Sequence, residues 1–104
     1  MNTPDPCGQY DSLPLVLVVD DETRSREAIR RNLEEDFRIL TATSPDEARG
    51  LLERHEVSVI LCDQRMPGTS GVRFLKEVRE VWPDTVRIII SGYTDSQDII
   101  AGIN

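Results

Sequence analysis

The sequence has few cysteines, no excess of positive charge and no long apolar run. Its two cysteines, Cys7 and Cys62, are spaced for neither a disulfide scaffold nor a zinc site. The 12 basic and 19 acidic side chains give a net charge of −7, which argues against a basic nucleic-acid-binding face. No apolar stretch approaches the ~20 residues that span a bilayer, and the N-terminus does not look like a secretory signal. These absences predict a cytoplasmic protein that contacts neither a membrane nor, through this segment, nucleic acid.

The chain is expected to form one domain, at residues 14–104, preceded by a disordered leader at residues 1–13. The leader contains two prolines and little apolar content. The rest alternates between short apolar runs and amphipathic helical patterns. The runs predict strands at Leu15–Val19, Phe37–Ala42, Val57–Cys62 and Thr85–Ile90, and the patterns predict helices at Arg24–Glu35, from Pro45, at Gly71–Trp82 and from Thr94. A capping box with Ser44 as the N-cap and Glu47 three residues later predicts the start of the second helix.

This alternation predicts an α/β fold, a doubly wound parallel sheet with helices on both faces. Ligands of such sheets bind beyond the carboxyl ends of the strands. Asp20 and Asp21 follow the first predicted strand, Asp63 follows the third, and Ser91 follows the fourth. We therefore expect three carboxylates and one hydroxyl to meet at one edge of the sheet.

Carboxylates this close ionise together only at a cost, unless a cation lies among them. Hard oxygen ligands with open positions suit Mg²⁺. A carboxylate beside such an ion and a hydroxyl can accept a phosphoryl group: Asp63 attacks phosphorus and Ser91 donates a hydrogen bond to the transferred group. The residues therefore point to a phosphoryl-acceptor site.

Each residue also has an ordinary structural interpretation. Asp21 is a suitable N-cap for the helix that follows it, and Asp63 is a suitable turn residue before Pro67 and Gly68. Ser91 and Gly92 are common in loops of no special function. The coincidence of all of them at the carboxyl ends of three strands favours the functional interpretation.

Three segments resemble the receiver domains of two-component response regulators: LVLVVDDE at 15–22, ILCDQRMPGTSG at 60–71 and VRIIISGY at 86–93. The middle segment matches the family pattern Asp-x-x-Met-Pro-x-x-x-Gly. The runs DQRMPG and IIISGYTD also resemble receivers of the NtrC-type regulators that control hydrogenase genes. The resemblance implies a flavodoxin-like fold with strand order 2-1-3-4-5.

The resemblance also implies roles for the residues at the sheet edge. Asp63 is the implied phosphoacceptor, Asp21 the direct Mg²⁺ ligand and Asp20 the residue that orients metal-bound water. The backbone carbonyl of Arg65 is the implied third protein ligand, and Ser91 the residue that turns toward the phosphoryl group. Such a domain is no enzyme beyond self-phosphorylation and self-dephosphorylation.

The implied partners are a sensor histidine kinase and an output domain of the same longer protein, with transcription regulation as its function. A homodimer is compatible with this interpretation. Two alternatives stay open: a receiver-like interaction domain that works without phosphorylation, and a phosphohydrolase of the haloacid-dehalogenase type. The phosphohydrolase is disfavoured because its Asp-x-Asp pattern does not follow the first strand.

The sequence departs from the family at its C-terminal end. The family has a fifth strand, which ends in a lysine, and a fifth helix, whereas here the only lysine is Lys76. We therefore expect a fragment of a longer protein, truncated before strand 5 and helix 5. Its fourth strand would be an open apolar edge, so this chain alone is expected to associate or to fold poorly.

Overall fold

The computed structural model describes residues 13–66 and 68–90. The elements in these ranges are β1 (Leu15–Val19), α1 (Thr23–Leu33), β2 (Arg38–Ala42), α2 (Pro45–Arg54), β3 (Val59–Asp63), β4 (Arg65–Met66), β5 (Thr69–Ser70), α3 (Gly71–Val81) and β6 (Val86–Ile90). No helix within the described ranges has the length and apolarity needed to cross a membrane. The predicted leader up to residue 12, Ser91 and the helix from Thr94 lie outside them.

The main sheet has four strands in the order β2-β1-β3-β6, and every pairing in it is parallel. With β6 as the fourth predicted strand, this order confirms the doubly wound fold class and the order 2-1-3-4. All five residues of β1 are buried, as expected for an inner strand covered by helices on both faces. The predicted truncation before a fifth strand concerns residues beyond the described ranges.

The core lies between this sheet and its helices. Its largest fully buried side chains include Leu17 of β1, Ile60 of β3 and Phe74 of α3. Phe74 also lies under the guanidinium of Arg49, whose carbon is 5.3 Å from the ring centroid. Arg49 of α2 donates to both carboxylate oxygens of Glu77 on α3, with one of the bonds 2.8 Å long. Apolar packing and a bidentate ion pair therefore hold α2 and α3 against the same face.

Element boundaries differ from the sequence prediction by one or two residues at several places. The third predicted strand, Val57–Cys62, begins later and extends one residue further, to Asp63. The reason is the partner strand: Asp63 pairs with Ile90 of β6. Asp63 is thus a strand residue and not the first residue of a loop. The first helix begins at Thr23 and ends at Leu33, two residues before the predicted Glu35.

The predicted N-terminus of α2 is confirmed. Ser44 is the N-cap, and its hydroxyl accepts a hydrogen bond of 3.2 Å from the N–H of Glu47. Pro45 occupies the first turn, where a missing N–H costs nothing. In a capping box, the residue three positions after the N-cap accepts a bond from the N-cap N–H. Here the Glu47 carboxylate instead accepts from the N–H of Thr43, one residue before the N-cap, at 2.7 Å.

The start of α3 lies against the end of β3. The N–H of Gly71 donates to the carbonyl of Gln64 at 3.0 Å. A Cβ atom at position 71 would lie 2.3 Å from the carbonyl oxygen of Asp63 and 2.8 Å from a side-chain carbon of Ile89. Only glycine permits this approach, which sets the distance between α3 and the strand that ends in Asp63.

Replacing Gly71 by alanine should therefore destabilise the protein, by about 1–3 kcal/mol, because backbone must move to admit the methyl group. Thermal unfolding of the two proteins measures the change. Gly50→Ala is the matched control: it lies within α2, where an added Cβ meets only Arg54, at 3.8 Å. That variant should be neutral or more stable, since alanine favours helix by about 1 kcal/mol. Equal effects of the two substitutions would contradict the steric argument.

Candidate functional site

Adjacent parallel strands bring three carboxylates together at one edge of the sheet. Val19 of β1 pairs with Cys62 of β3, so the next residues, Asp20 and Asp63, are level with each other. One carboxylate oxygen from each of Asp20, Asp21 and Asp63 lies within 4.8 Å of the others. Asp20 is buried, Asp63 is half-buried and Asp21 is exposed. The cluster thus opens to solvent on the side of Asp21.

Asp20 is held by backbone hydrogen bonds on three sides. Its N–H donates to the carbonyl of Ala42 at 3.0 Å, and its carboxylate accepts from the N–H of Glu22 at 2.9 Å. Its carbonyl accepts from Nη1 of Arg26 at 2.8 Å. Asp20 is therefore fixed to β2, to the chain entering α1 and to α1 itself.

Asp21 does not cap α1. The N-cap residue is Glu22, and it makes no side-chain capping bond. The interpretation of Asp21 as a helix cap is therefore wrong, because the helix begins one residue too late for it. The side chain of Asp21 lies in the carboxylate cluster, so helix capping does not explain an acid at this position.

Burial and mutual repulsion destabilise the charged forms of two of these acids. Burial is the main cause that raises the pKa of Asp63, followed by the charge of Asp20, and the N–H groups of Arg65 and Gln64 oppose both. Burial likewise raises the pKa of Asp20, with the charges of Asp21 and Glu22 adding to it and the N–H of Glu22 opposing it. A cation among the three carboxylates would relieve this repulsion.

The residue before Asp63 is a buried, uncharged thiol. Cys62, beside Asp63, is fully buried, and its thiol donates to the Asp63 carbonyl at 3.4 Å. Burial, with the charges of Asp63 and Asp20, raises the pKa of the Cys62 thiol to about 12. The thiol therefore stays neutral at physiological pH and is no nucleophile.

Arg65 and Ser91 are the remaining residues predicted for the site. Arg65 begins β4, two residues after Asp63, and pairs with Ser70 of the antiparallel strand β5. The turn between these strands includes Gly68, whose φ of 89° favours glycine. This short hairpin holds the backbone on which the predicted ligand carbonyl lies. Ser91 directly follows β6 and lies outside the described residues.

Sequence reasoning missed Gln64. Its side-chain Oε1 accepts from the N–H of Val72 at 3.0 Å, and its own N–H donates to the carbonyl of Ile90 at 3.2 Å. Gln64 is therefore hydrogen-bonded both to α3 and to β6. Its place between Asp63 and a predicted helix was the only available signal, and a glutamine in a loop predicts no particular bond.

Residues 16–104 match the family model of the response regulator receiver domain. The chain belongs to this family. Among curated proteins, the receiver domain is 71% identical over 94 residues to the hydrogenase transcriptional regulatory protein HoxA of Cupriavidus necator, with 90% of this chain covered. It is 63% identical over 89 residues to the HoxA protein of Bradyrhizobium diazoefficiens, with 86% covered. These matches confirm the predicted resemblance to regulators of hydrogenase genes.

Solved receivers share the fold. A response regulator receiver protein from Pseudomonas putida superposes with a TM-score of 0.73 at 31% identity, covering 83% of this chain and 74% of that one. The response regulator TrrA of Thermotoga maritima, in complex with Mg²⁺ and BeF, gives a TM-score of 0.73 at 32% identity, covering 79% and 72%. By contrast, the chain spans only 20% and 18% of the two HoxA proteins.

The repulsion within the cluster predicts that Asp20→Asn stabilises the metal-free protein at neutral pH, by on the order of 1 kcal/mol. Asparagine keeps an oxygen for the N–H of Glu22 and removes the buried charge. Because the pKa of Asp20 is raised on folding, the ionised form costs stability above that pKa and the cost disappears below it. The gain should therefore shrink as the pH falls through the folded pKa.

Thermal unfolding with a chelator present, at neutral and at acidic pH, measures this gain. Asp84→Asn is the control, since Asp84 is exposed in the turn after α3 and should show little change at either pH. A destabilised Asp20→Asn protein at neutral pH would contradict the electrostatic argument.

Proposed function

We propose that this receiver domain accepts a phosphoryl group on Asp63, with Mg²⁺ held beside it. The observation that carries the proposal is the convergence of Asp20, Asp21 and Asp63 within 4.8 Å. In this proposal Asp21 and Asp63 bind the ion directly, Asp20 orients a water bound to it, and the Arg65 carbonyl is a further ligand. Ser91 donates a hydrogen bond to the transferred group.

The donor set fits Mg²⁺. Mg²⁺ prefers carboxylate, carbonyl and water oxygens and usually keeps several waters, and the exposed side of this cluster, at Asp21, has access to water. Burial, with repulsion from the neighbouring carboxylates added to it, raises the pKa values of Asp20 and Asp63. When bound, Mg²⁺ supplies positive charge that balances the carboxylates and the phosphoryl oxygens. The TrrA structure contains Mg²⁺ and BeF on a similar fold, which supports the same choice.

The transfer proposed is a displacement at phosphorus. A carboxylate oxygen of Asp63 forms the new P–O bond, and the P–N bond to a phosphohistidine of the partner kinase breaks. The histidine nitrogen leaves with the electron pair and takes a proton from solvent. Asp63 itself is held at the end of β3 by its pairing with Ile90 of β6, so the attacking residue is in place before the phosphoryl donor arrives.

The output is expected to be transcription regulation. The two HoxA proteins are named as hydrogenase transcriptional regulators, and by that similarity we propose that this domain, residues 14–104, controls an output region that acts on hydrogenase genes. The partners are then a sensor histidine kinase and that output region. The domain itself contributes at most self-phosphorylation and self-dephosphorylation.

The metal proposal predicts that Asp21→Asn weakens Mg²⁺ binding by about tenfold or more, because it removes a charged ligand. Titration of the wild-type protein with Mg²⁺, followed by NMR signals near Asp63, measures the affinity. Glu80→Gln removes the same charge from the exposed face of α3 and should leave the affinity unchanged. Equal affinity in the Asp21→Asn protein would exclude Asp21 as a ligand.

The acceptor proposal predicts that acetyl phosphate with Mg²⁺ adds one phosphoryl group to the protein, seen as a single mass increase. Asp63→Asn should abolish it, because an amide oxygen is a poor nucleophile for phosphorus. Asp36→Asn, at an exposed acid after α1, should be labelled like the wild type. Label that persists in Asp63→Asn would move the acceptor elsewhere, and no label on the wild type would favour the interaction-domain alternative.

A further inference from the structure

Gln64, the residue after Asp63, accepts two hydrogen bonds from the start of α3. Its carbonyl accepts from the N–H of Gly71 at 3.0 Å, and its side-chain Oε1 accepts from the N–H of Val72 at 3.0 Å. The first N–H groups of a helix have no partners within the helix. Gln64 therefore satisfies two of these donors from a residue outside it.

Gln64 is also linked directly to the candidate acceptor. Its own N–H donates to the carbonyl of Ile90 at 3.2 Å, and the N–H groups of Gln64 and Arg65 lie near enough to the Asp63 carboxylate to lower its pKa. A shift of the Gln64 backbone would consequently move the peptide bond that follows Asp63. The same peptide segment leads to Arg65, whose carbonyl is the proposed third ligand of the ion.

A second side chain caps the same helix without this link. The hydroxyl of Ser70, the N-cap residue, accepts from the N–H of Arg73 at 3.2 Å. Ser70 lies in β5, the hairpin strand that pairs with β4, and its side-chain bond does not involve Gln64. Ser70 and Gln64 thus each supply one side-chain bond to the first turn of α3, but only Gln64 touches the acceptor residue.

We propose that Gln64 is a positioning residue for phosphoryl transfer: its side-chain bond to Val72 fixes the backbone that joins Asp63 to Arg65, and with it the position of both residues. The inference rests on the proposed function and adds a residue to it. Gln64 acts through Asp63 and through the backbone of Arg65, and it does not itself contact the phosphoryl group. A purely structural role in α3 would instead make Gln64 equivalent to Ser70.

The test compares Gln64→Met with Ser70→Ala in the full-length protein. Methionine keeps the length of the side chain and removes its acceptor oxygen. Both variants lose one capping bond of α3, so thermal unfolding should show similar losses of stability. Gln64→Met should also bind Mg²⁺ about 2- to 10-fold more weakly, the range expected for one hydrogen bond. Its phosphorylation by acetyl phosphate should be slower by about the same factor. Ser70→Ala should match the wild type in both measurements.

Gln64→Glu tests whether the bond itself is responsible. Glutamate keeps an acceptor oxygen at the same reach, and its charge would repel the incoming acetyl phosphate. Recovery of the labelling rate at saturating Mg²⁺ in this variant would therefore come from the restored bond to Val72.

The outcomes separate this inference from the proposed function. If the wild type is labelled on Asp63 and Gln64→Met behaves like Ser70→Ala, Gln64 only stabilises α3 and the inference is wrong while the function stands. A wild type that takes no label overturns the proposed function and this role with it.

Discussion

The parallel pairing of β1 with β3 is the constraint on which the site depends. Because both strands run in the same direction and are neighbours, their carboxyl ends reach the same edge, and Asp20 and Asp63 face one cluster with Asp21. Burial and mutual repulsion disfavour the charged forms of Asp20 and Asp63. The rest of the fold must therefore hold these groups in an arrangement that they would not adopt by themselves.

Several features of the structure supply that support. The apolar residues of β1 are buried along their whole length, and Cys62 below the cluster is a neutral, buried thiol. Backbone N–H groups from Glu22, Gln64 and Arg65 offset part of the cost of burying the carboxylates. Gly71 lets α3 approach the Asp63 carbonyl directly. The acids of the site thus follow buried apolar strands, and nearby backbone N–H groups lower the pKa values of Asp20 and Asp63.

The chain belongs to the receiver family, and its similarity to named transcriptional regulators supports a proposed output that the carboxylate cluster alone does not indicate. Similarity to the two HoxA proteins covers most of this chain and about a fifth of those proteins. The chemistry proposed here belongs to the strand ends and is contained in the domain. The proposed control of hydrogenase genes rests on the two HoxA proteins, most of whose length lies outside the similarity.

The sequence alone determined those features that depend on local chemistry. Apolar runs predicted the strands, Ser44 and Pro45 predicted the start of α2, and acids after two strands predicted the cluster, because each signal lies within a few neighbouring residues. The tertiary structure decided what depends on a partner distant in the chain. Asp63 became a strand residue through its pairing with Ile90, and Glu22 took the N-cap position that Asp21 was a candidate for. The bond from Gln64 to Val72 and the approach of Gly71 to Asp63 exist only once α3 packs against β3, and no pattern of residue types encodes that distance.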